Sequence, residues 1–501
     1  MNALRRALSG IIAAALVLGV GELLAALVGP GSSPFVAVGS ASVDNTPSAV
    51  REWAIDTFGT ADKLALFVGM SVVIAALAAA AGLLERPRMP LGSALFVVLG
   101  IVGVLAAMSQ SDSGAVAALP TVVGVAVGIV VLRSLVNRAE PEASEGFSRR
   151  RFVTLAGIGA VAAVATGVAG RALGASTRAV TQDRQAFTVP VPESPAPPVP
   201  AGADLDVPGL TPYVTSNADF YRIDTALVVP RVNSQDWSLR IHGMVGNEMR
   251  LTLADLEERV AVERMVTLTC VSNPIGGDLI GNAMWTGYSL KDILEEAQPD
   301  PSADMVLSSS SDLFTAGTPL DVLMDGRDAI LAVAMNGEPL PIEHGYPARL
   351  VVPGLYGYVS ATKWVTDLEV TKFSQARAYW TDRGWSERGP IKTACRIDTP
   401  MGSRSVDAGT VMIAGVAWAQ HRGISQVEVR VDDGPWEEAT LSEEYSRDTW
   451  RQWSYAWTAT SGQHRIEARA TDSTGEVQTA ERMDTVPDGA TGYASTPVTV
   501  A

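Results

Sequence analysis

Cysteine and histidine are scarce in this chain of 501 residues, which contains 2 Cys and 4 His. Two cysteines exclude a disulfide-rich framework and a four-cysteine zinc site. Charged residues make up only 18% of the chain, and 54 acidic against 38 basic residues give a net charge of −16. A chain with this deficit of basic residues is not expected to bind nucleic acid. Apolar residues, at 47%, are abundant enough to build packed cores, which excludes disorder as the dominant state.

The charge is distributed unevenly along the chain. Residues 1–180 hold 13 Lys and Arg against 10 Asp and Glu, which leaves 25 basic against 44 acidic residues for the remainder. The first part also contains runs that are long enough to cross a bilayer, for which about 17–25 apolar residues suffice. These runs are Ile11–Val28, Leu64–Leu84, Leu91–Met108, Ala115–Leu132 and Phe152–Gly170. The sequence therefore predicts a five-helix transmembrane region over residues 1–173, followed by an acidic globular part.

Basic residues lie in alternate loops between these runs. They are Arg5 and Arg6, then Arg86 and Arg88, then Arg133, Arg138 and Arg149–Arg151. Because cytoplasmic loops carry the excess of Lys and Arg, we expect a multi-pass cell-membrane protein with a cytoplasmic N-terminus. Everything after the fifth span would then lie outside the cytoplasm.

The segment Ser148–Val153 resembles a twin-arginine export signal, in which paired arginines precede an apolar run. Ordinary positive-inside charge is the alternative interpretation. No small-residue cleavage site of the A-x-A kind follows, so we expect an uncleaved anchor.

The globular part begins after a proline-rich stretch. Prolines recur at eight positions from 190 to 212, which predicts a semi-rigid linker over residues 174–204. Alternation in Trp237–Ile241 and the apolar run Met265–Thr269 then predict strands, and Thr252 is typical of a helix start. Cys270 follows the second strand and precedes a loop rich in turn formers. That position suits a ligand or nucleophile that faces a cavity, and a buried inert thiol is an equally good alternative.

The C-terminal part has the pattern of an all-β domain. Val411–Trp418 reads as a strand, residues 427–431 alternate between valine and charged residues, and His464–Ala470 alternates again. Short strands separated by turns predict a sandwich over residues 396–501, after a connection at 373–395. We expect His421 and His464 to be surface residues of this sandwich.

Three ordered segments resemble the sulfite oxidase family of molybdopterin enzymes. They are Thr267–Asn273, Gly281–Gly287 and His344–Gly354, the last followed by the pair Lys363-Trp364. The resemblance runs over roughly residues 205–500. It implies a multi-domain fold in which an α+β sulfite-oxidase-type molybdopterin domain occupies residues 205–372. The sandwich would be an immunoglobulin-like dimerisation-type domain, and the protein a homodimer.

The resemblance also implies Mo-molybdopterin as the cofactor, with the Cys270 thiolate as the metal ligand. A soft thiolate suits this metal, and binding removes the thiol proton. His344 and Arg349 have the family's spacing for cofactor contacts, and Arg349 could form paired hydrogen bonds with an anion. Lys363 matches a cofactor-binding lysine, and Thr362 beside it could add a contact. With Cys270 assigned to the metal, no disulfide with Cys395 is expected.

A looser match covers Asn217–Arg222, which resembles the family segment that lies over the cofactor. Asn217, Tyr221 and Arg222 are the candidate cofactor contacts there. Arg222 is in addition a candidate catalytic residue, because it could orient an anionic substrate.

Two positions depart from the sulfite oxidases of animals and plants. Ile275 stands where those enzymes have an arginine, and Trp385 stands where they have a tyrosine. Since sulfur oxyanions favour arginine, the substrate stays open among a sulfur oxyanion, an S-oxide and another small oxo-compound.

Taken together, these features predict a membrane-anchored molybdenum oxidoreductase that transfers an oxygen atom to or from a small substrate outside the cytoplasmic membrane. Because the sequence has no haem-attachment or iron–sulfur motif, electrons would pass to or from a separate carrier, a cytochrome or a quinone. An S-oxide reductase of the same fold is one alternative. A non-enzymatic membrane sensor or transporter with a binding ectodomain is another, although ionisable groups are few in the apolar runs.

Overall fold

The computed structural model describes residues 3–28, 30–47, 50, 53–54, 57–58, 62–109, 114–137, 176–400 and 405–501. These residues form two compact units. One consists of Met1–Ala179 with Ala226–Val229, and the other of Val180–Thr225 with Pro230–Ala501. The predicted fifth span, Phe152–Gly170, and the twin-arginine-like segment lie outside the described residues.

The first unit is helical. Its helices are α1 (Ala3–Val28), α2 (Pro34–Asp44), α3 (Asp62–Leu84), α4 (Leu91–Ser109) and α5 (Leu119–Asn137), with 3-10 turns at Pro30–Ser32 and Gly114–Ala118 and a hairpin of β1 (Glu85–Arg86) and β2 (Met89–Pro90). Within the described ranges, four segments are long and apolar enough to cross a membrane: Ala3–Val28, Lys63–Leu84, Leu91–Ser109 and Ala115–Val136. They coincide with the first four predicted spans, whereas the count of five stays a prediction.

Helices α1 and α3 approach each other closely at two glycines. A Cβ on Gly10 would lie 1.8 Å from the carbonyl oxygen of Ala78, and one on Gly82 would lie 2.0 Å from that of Arg6. Small residues allow apolar helices to pack backbone against backbone, as in membrane helix pairs. A methyl group at either glycine would therefore separate the two helices.

The second unit starts at Val180, within helix α6 (Ser176–Ala186), and continues into a proline-rich segment that packs on the strands beyond it. The Arg184 guanidinium donates to the carbonyls of Pro339 and Leu340, at 2.7 Å each. Further along, Ser194 forms a β-bridge with Val262. Residues 184 and 194 of the predicted semi-rigid linker thus contact the α+β domain, and the bounds of the linker at 174 and 204 stay a prediction. Extended segments with prolines can still pair along the edge of a sheet, because their carbonyls and remaining amides stay available. We call residues 180–204 the N-terminal strap.

Two sheets build the α+β domain. Their strands are β3 (Ser238–Gly243), β4 (Met249–Thr252), β5 (Ala261–Thr269), β6 (Ile280–Ser289), β7 (Met305–Ser310), β8 (Thr315–Pro319), β9 (Ile330–Met335), β10 (Glu338–Pro339), β11 (Arg349–Val351) and β12 (Val365–Thr371). One sheet has the order β10-β9-β6-β5, with β11 also paired to β9, and the other has the order β4-β3-β12-β7-β8. Strand β12 runs parallel to β3 and antiparallel to β7.

Short helices connect these strands: α7 (Leu253–Glu257), α8 (Leu290–Ala297), α9 (Leu320–Met324) and the 3-10 turns Ile342–His344, Gly357–Val359 and Thr381–Arg383. Thr252 caps α7 by accepting a hydrogen bond from the Asp255 amide, and the Asp255 carboxylate accepts from the Thr252 amide in return. The predicted helix start is thus confirmed as a capping box.

The core of the α+β domain is formed by fully buried side chains of both sheets, including Trp237, Leu239, Ile241 and Leu331. The Trp237 indole donates to the carbonyl of Val365 at 2.7 Å, so its polar atom is satisfied inside the core. The predicted strands at 237–241 and 265–269 correspond to β3 and β5.

The C-terminal domain is the predicted sandwich. Its strands are β13 (Ala394–Thr399), β14 (Ser405–Val406), β15 (Gly409–Trp418), β16 (Ile424–Val431), β17 (Glu437–Glu438), β18 (Thr440–Leu441), β19 (Arg451–Ala459), β20 (Gly462–Asp472) and β21 (Ala494–Val500). They form sheets of order β13-β15-β19-β18 and β14-β21-β20-β16-β17. His421 and His464 are partly exposed on this domain, each beside a carboxylate, Asp448 at 3.1 Å and Asp432 at 2.5 Å.

The sandwich forms hydrogen bonds with strand β5 of the α+β domain. The Thr267 amide donates to the carbonyl of Asp448 (3.0 Å), and the Thr267 hydroxyl accepts from the Trp450 amide (2.8 Å). From the neighbouring loop, the Gln420 amide group donates to the carbonyl of Thr267 (3.1 Å) and the hydroxyl of Thr269 (2.9 Å). The end of β5, where Cys270 follows, is therefore fixed by both domains.

Candidate active site

A cavity lies in the α+β domain beside the end of β5. Five of the residues predicted for the site line it: Tyr221, Cys270, His344, Arg349 and Lys363. They come from the loop before β3, from the residue after β5, from the turn before β11, from β11 itself and from the chain just before β12. Their convergence is therefore a result of the tertiary fold.

Cys270 is held by its backbone at the edge of this cavity. Its amide donates to the carbonyl of Leu279 (2.9 Å), and its carbonyl accepts from the amide of Asn273 (3.1 Å). The thiol is a free, buried group with 8% exposure. Burial raises the pKa of the Cys270 thiol, and hydrogen bonds to Ser272 oppose that rise. Because binding of a metal removes the thiol proton, this group becomes a thiolate when a cation binds beside it.

Arg349, on β11, is a buried cation with 5% exposure. In the described chain its three hydrogen-bond acceptors are carbonyls, those of His344 (3.1 Å), Leu350 (3.4 Å) and Ala361 (3.4 Å). Its guanidinium lies 5.0 Å from the ring centroid of Trp285. Burial lowers the pKa of Arg349 to about 10, so it stays charged at neutral pH. A buried charge without a carboxylate is unfavourable, and an anion bound in the cavity would compensate it.

His344 ends the 3-10 turn before β11, and Gly345 after it adopts a φ of +112°, which favours glycine. The Nε2 atom of His344 lies 3.3 Å from the carbonyl oxygen of Asn217. Burial, followed by the charges of Arg349 and Lys363, lowers the pKa of His344 to about 4. The imidazole is therefore neutral at pH 7 and can exchange hydrogen bonds with a polar cofactor without adding charge.

Lys363 lies beside Arg349, with which it forms a β-bridge. Its ammonium donates to the Asp224 carboxylate (3.0 Å) and to the carbonyl of Glu343 (3.2 Å). Burial lowers the pKa of Lys363 to about 8, and the charge of Asp224 opposes that change. The Lys363 ammonium therefore lies in the wall of the cavity, and the Asp224 carboxylate compensates part of its charge.

The remaining candidates are not among the lining residues. The Arg222 guanidinium is bound to Asp224 at 2.8 Å. The Asn217 side chain donates to the carbonyl of Met335 (3.2 Å) and accepts from Asn336 (2.8 Å), while its carbonyl faces His344. Thr362 is fully buried, with its hydroxyl 2.7 Å from that of Ser308.

Ile275 and Trp385 have different positions. Trp385 lines the cavity, with its ring 6.1 Å from that of Trp380 and 5.8 Å from that of Tyr358. Ile275 instead lines a second cavity, between the α+β domain and the sandwich. The bearing of Ile275 on the choice of substrate therefore stays a prediction.

Sequence reasoning missed two carboxylates of the cavity, Asp224 and Asp312. Asp224 stands two residues after Arg222, and side chains two apart in an extended segment share a face. That spacing was the available signal. Asp312 follows β7 in a short loop, and its closeness to Asp224 depends on the tertiary fold.

Comparison with known proteins agrees with this architecture. Residues 226–380 match the model of the oxidoreductase molybdopterin-binding domain, and residues 394–481 match the bacterial Ig domain. An uncharacterized oxidoreductase of Bacillus subtilis, YuiH, is 33% identical over 153 residues, which cover 30% of this chain and 74% of that protein. This chain therefore belongs to the oxidoreductases with a molybdopterin-binding domain.

Other relatives align with the α+β domain and the sandwich at lower identity. Mitochondrial sulfite oxidase of Drosophila melanogaster is 28% identical over 320 residues (53% of this chain, 55% of that one), and the human enzyme is 28% identical over 301 residues (51% and 55%). The chain thus spans about half the length of these relatives. Sulfane dehydrogenase SoxCD of Paracoccus pantotrophus, a solved structure, aligns over 54% of this chain and 75% of its own, at 24% identity and a TM-score of 0.49. The protein is a sulfite oxidase-like molybdopterin oxidoreductase, and Mo-molybdopterin is its cofactor.

The cavity fits this cofactor in the chemistry of its side chains. Cys270 offers a soft thiol to molybdenum. Arg349, a buried cation bonded to carbonyls in the described chain, offers a partner to the phosphate of the pterin. Neutral His344 and the Lys363 ammonium add hydrogen-bonding groups for its polar ring system.

Proposed function

We propose that this chain is a membrane-anchored oxidoreductase that transfers an oxygen atom to or from a small substrate outside the cytoplasmic membrane. The observation that carries the proposal is that the Cys270 thiol and the Arg349 guanidinium, both buried, line one cavity. A ligand for a soft metal and a cation for a phosphate are the two groups that the cofactor requires of the protein.

Each side chain has a separate task in this proposal. Cys270 holds the metal, Arg349 binds the phosphate, and His344 and Lys363 fix the pterin ring system. Tyr221, whose pKa is raised by burial, stays protonated and can donate a hydrogen bond. The aromatic wall of Trp380 and Trp385 excludes water from the substrate. When bound, the molybdenum cofactor supplies a two-electron couple and takes up or releases one oxygen atom.

Electrons pass to or from a separate carrier. The chain outside residues 1–180 has 44 acidic and 25 basic residues, so its surface favours a basic partner such as a small cytochrome. A quinone in the membrane is the second candidate, because the four apolar helices would place the domain beside the lipid phase.

The orientation of the anchor is part of the proposal. With Arg5, Arg6, Arg86 and Arg88 in the cytoplasm, alkaline phosphatase fused after residue 45 or at the C-terminus should be active, and the same fusion after residue 88 inactive. Activity of the fusion at residue 88 would overturn this orientation.

The metal assignment is tested by exchanging Cys270 for serine in the full-length protein matured with cofactor. Cys395→Ser is the matched control, since Cys395 is also a buried free thiol, at 2% exposure, but belongs to the sandwich. Molybdenum content and the Mo(V) EPR signal after partial reduction with dithionite are measured on both variants and on the wild type.

We expect Cys270→Ser to change or abolish the EPR signal and to lower turnover by on the order of 100-fold or more. Cys395→Ser should keep the wild-type signal. Wild-type turnover in Cys270→Ser would overturn the assignment of the metal ligand. Absence of molybdenum from the wild type would overturn the proposed function itself.

A further inference from the structure

Residues 270–279, which we call the Cys270 loop, are closed by hydrogen bonds between their two ends. The Cys270 amide donates to the carbonyl of Leu279, and the Leu279 amide donates to the side-chain oxygen of Asn273 at 3.0 Å. The Asn273 amide in turn donates to the carbonyl of Cys270. Because each of these residues is bonded to another member of the loop, the position of Cys270 depends on the whole loop.

A buried ion pair of the sandwich contacts this loop from outside. It consists of Arg396 and Asp398, both on strand β13, which are 8% and 9% exposed. The Arg396 guanidinium donates to both oxygens of the Asp398 carboxylate, at 2.5 and 3.4 Å. Its Nη1 atom donates to the carbonyl of Gly277 at 3.1 Å. A charged side chain of one domain is thus hydrogen-bonded to the Cys270 loop of the other.

The same ion pair is held on a further side by Thr211, which precedes β3. The Nη2 atom of Arg396 donates to the Thr211 hydroxyl at 2.8 Å, and the Asp398 carboxylate accepts from the Thr211 amide at 3.1 Å. A guanidinium presents its donors in a rigid planar fork. Since contacts with Asp398 and Thr211 fix the plane of this fork, the donor that faces Gly277 has a fixed position.

A second ion pair of the sandwich provides a comparison. The Arg422 guanidinium donates to Asp472 at 2.7 Å, to the carbonyl of Ile391 and to the hydroxyl of Thr393. None of these three partners belongs to the Cys270 loop. Replacing a buried ion pair by apolar groups is often neutral for stability, so stability alone does not account for the contact of Arg396 with the loop.

We propose that Arg396 and Asp398 are positioning residues of the molybdenum centre. Through Gly277 they fix the Cys270 loop, and the loop holds the Cys270 thiol in the geometry that binds the metal. The sandwich thereby has a task within the active site. This inference rests on the proposed function, because it takes Cys270 as the metal ligand. Groups that orient a metal ligand typically change metal affinity or activity by on the order of 10- to 100-fold.

The first test uses the full-length protein without cofactor. The exchange Cys395→Ser leaves Cys270 as the one thiol of a chain that has 2 cysteines. Since this thiol is 8% exposed, its rate of alkylation by iodoacetamide under native conditions measures how often the loop opens. In this background Arg396→Lys keeps the charge that pairs with Asp398 and replaces the planar fork by a single ammonium. The double variant Arg396→Met/Asp398→Asn removes both charges, so that no unpaired charge stays buried.

The matched control is Arg422→Met/Asp472→Asn, which removes the second ion pair of the same domain. We expect alkylation of Cys270 to be about tenfold or more faster in both Arg396 variants than in the background protein, because the loop loses an outer hydrogen bond and opens more often. The control should stay within about twofold of the background protein. Arg396→Lys keeps the test decisive if the double variant does not fold.

The second test uses the same proteins matured with cofactor. Molybdenum content is measured first, and the Mo(V) EPR spectrum after partial reduction with dithionite is compared at equal molybdenum concentration. We expect changed g-values in the Arg396 variants and the spectrum of the background protein in the control. A role in stability alone would lower the yield of folded protein but would leave the spectrum of the loaded molecules unchanged.

Three results would contradict the inference. They are an unchanged alkylation rate in Arg396→Lys, an equal acceleration in the Arg422 control, and an unchanged EPR spectrum in a variant whose Cys270 reacts faster. Each of them leaves the proposed function intact as long as the wild type contains molybdenum. A wild type without molybdenum would overturn the proposed function, whereas the alkylation rates would still show whether the ion pair fixes the loop.

Discussion

The buried charge of Arg349 indicates that the site binds an anion. Its guanidinium is surrounded by carbonyl oxygens and the ring of Trp285, and burial lowers its pKa to about 10 without neutralising it at pH 7. A bound anion would compensate this charge, and in the proposed function that anion is the phosphate of the cofactor.

Replacing Arg349 by methionine keeps the bulk of the side chain and removes its charge. We expect the purified Arg349→Met protein to retain about tenfold less molybdopterin than the wild type, because the phosphate loses its cation. Molybdenum by mass spectrometry and pterin by fluorescence measure the effect. Arg240→Met is the control, since that arginine is exposed and its side chain contacts Glu248 at 3.5 Å. Full cofactor content in Arg349→Met would contradict this role.

His344 predicts a dependence of stability on pH. Its pKa of about 4 in the folded protein lies below the ordinary value of 6.5. The unfolded chain therefore binds a proton between these values while the folded protein does not, and the stability present above pH 6.5 is lost as the pH falls toward 4. The loss amounts to roughly 3 kcal/mol at most.

The measurement compares the free energy of unfolding of the wild type and of His344→Gln, in the cofactor-free protein, from pH 7 to pH 4. We expect the wild type to lose more stability over this range than the variant, because glutamine does not titrate. Parallel curves for the two proteins would show that His344 is not buried in its neutral form.

At the scale of elements, the N-terminal strap is tied to the loop that carries the candidate cofactor contacts. The Asp183 carboxylate of helix α6 accepts hydrogen bonds from the hydroxyl of Tyr346 (2.7 Å) and from the hydroxyl and amide of Ser234 (2.6 and 2.8 Å). Tyr346 stands between His344 and Arg349, and its ring is in edge-to-face contact with Phe187. These contacts with Tyr346 therefore tie the N-terminal strap to the chain between His344 and Arg349.

Removing the Asp183 carboxylate should weaken this support. We expect Asp183→Ala to lower the free energy of unfolding by about 1–3 kcal/mol, since three donors lose a partially buried acceptor. Faster proteolytic cleavage within residues 187–200 should accompany the loss. Chemical denaturation and limited proteolysis check both effects, with Asp206→Ala, an exposed carboxylate, as the control. If Asp183→Ala and Asp206→Ala are equally stable, the strap does not depend on this contact.

At the scale of the whole molecule, the sandwich and the α+β domain share hydrogen bonds at strand β5. The Thr267 hydroxyl is buried at 1% exposure, donates to Asn282 (2.9 Å) within the α+β domain and accepts from the Trp450 amide (2.8 Å) of the sandwich. The sandwich thus helps to fix the strand that positions Cys270.

Thr267→Val keeps the shape of the side chain and removes both hydrogen bonds. We expect a loss of about 2–3 kcal/mol in the free energy of unfolding, because a buried amide and a buried side-chain carbonyl lose their partners. Thr410→Val, at an exposed position of β15, is the control and should be nearly neutral. Calorimetry of both variants gives the difference, and an unchanged stability in Thr267→Val would mean that the two domains are coupled elsewhere.

Much of the local structure follows from the sequence, because it depends on neighbouring residues. Alternating or continuous apolar positions determined strands β3, β5, β15, β16 and β20, and a threonine followed three residues later by an aspartate determined the capped start of α7. The four apolar helices of the first unit were determined in the same way, by the length and composition of their runs. Cys270 could be placed at the end of a strand and before a turn-rich loop for the same reason.

The tertiary structure alone decided what these elements bring together. It brought Arg222 and Lys363 to one oxygen of Asp224 and placed Asp312 in the wall of the same cavity. It also placed Ile275 in the wall of a second cavity. It also packed the N-terminal strap on the α+β domain, whereas its proline content predicts only a semi-rigid linker. Such contacts join residues far apart in the chain, and burial sets the strength of their charges. Neither the contacts nor the burial is a property of a local sequence pattern.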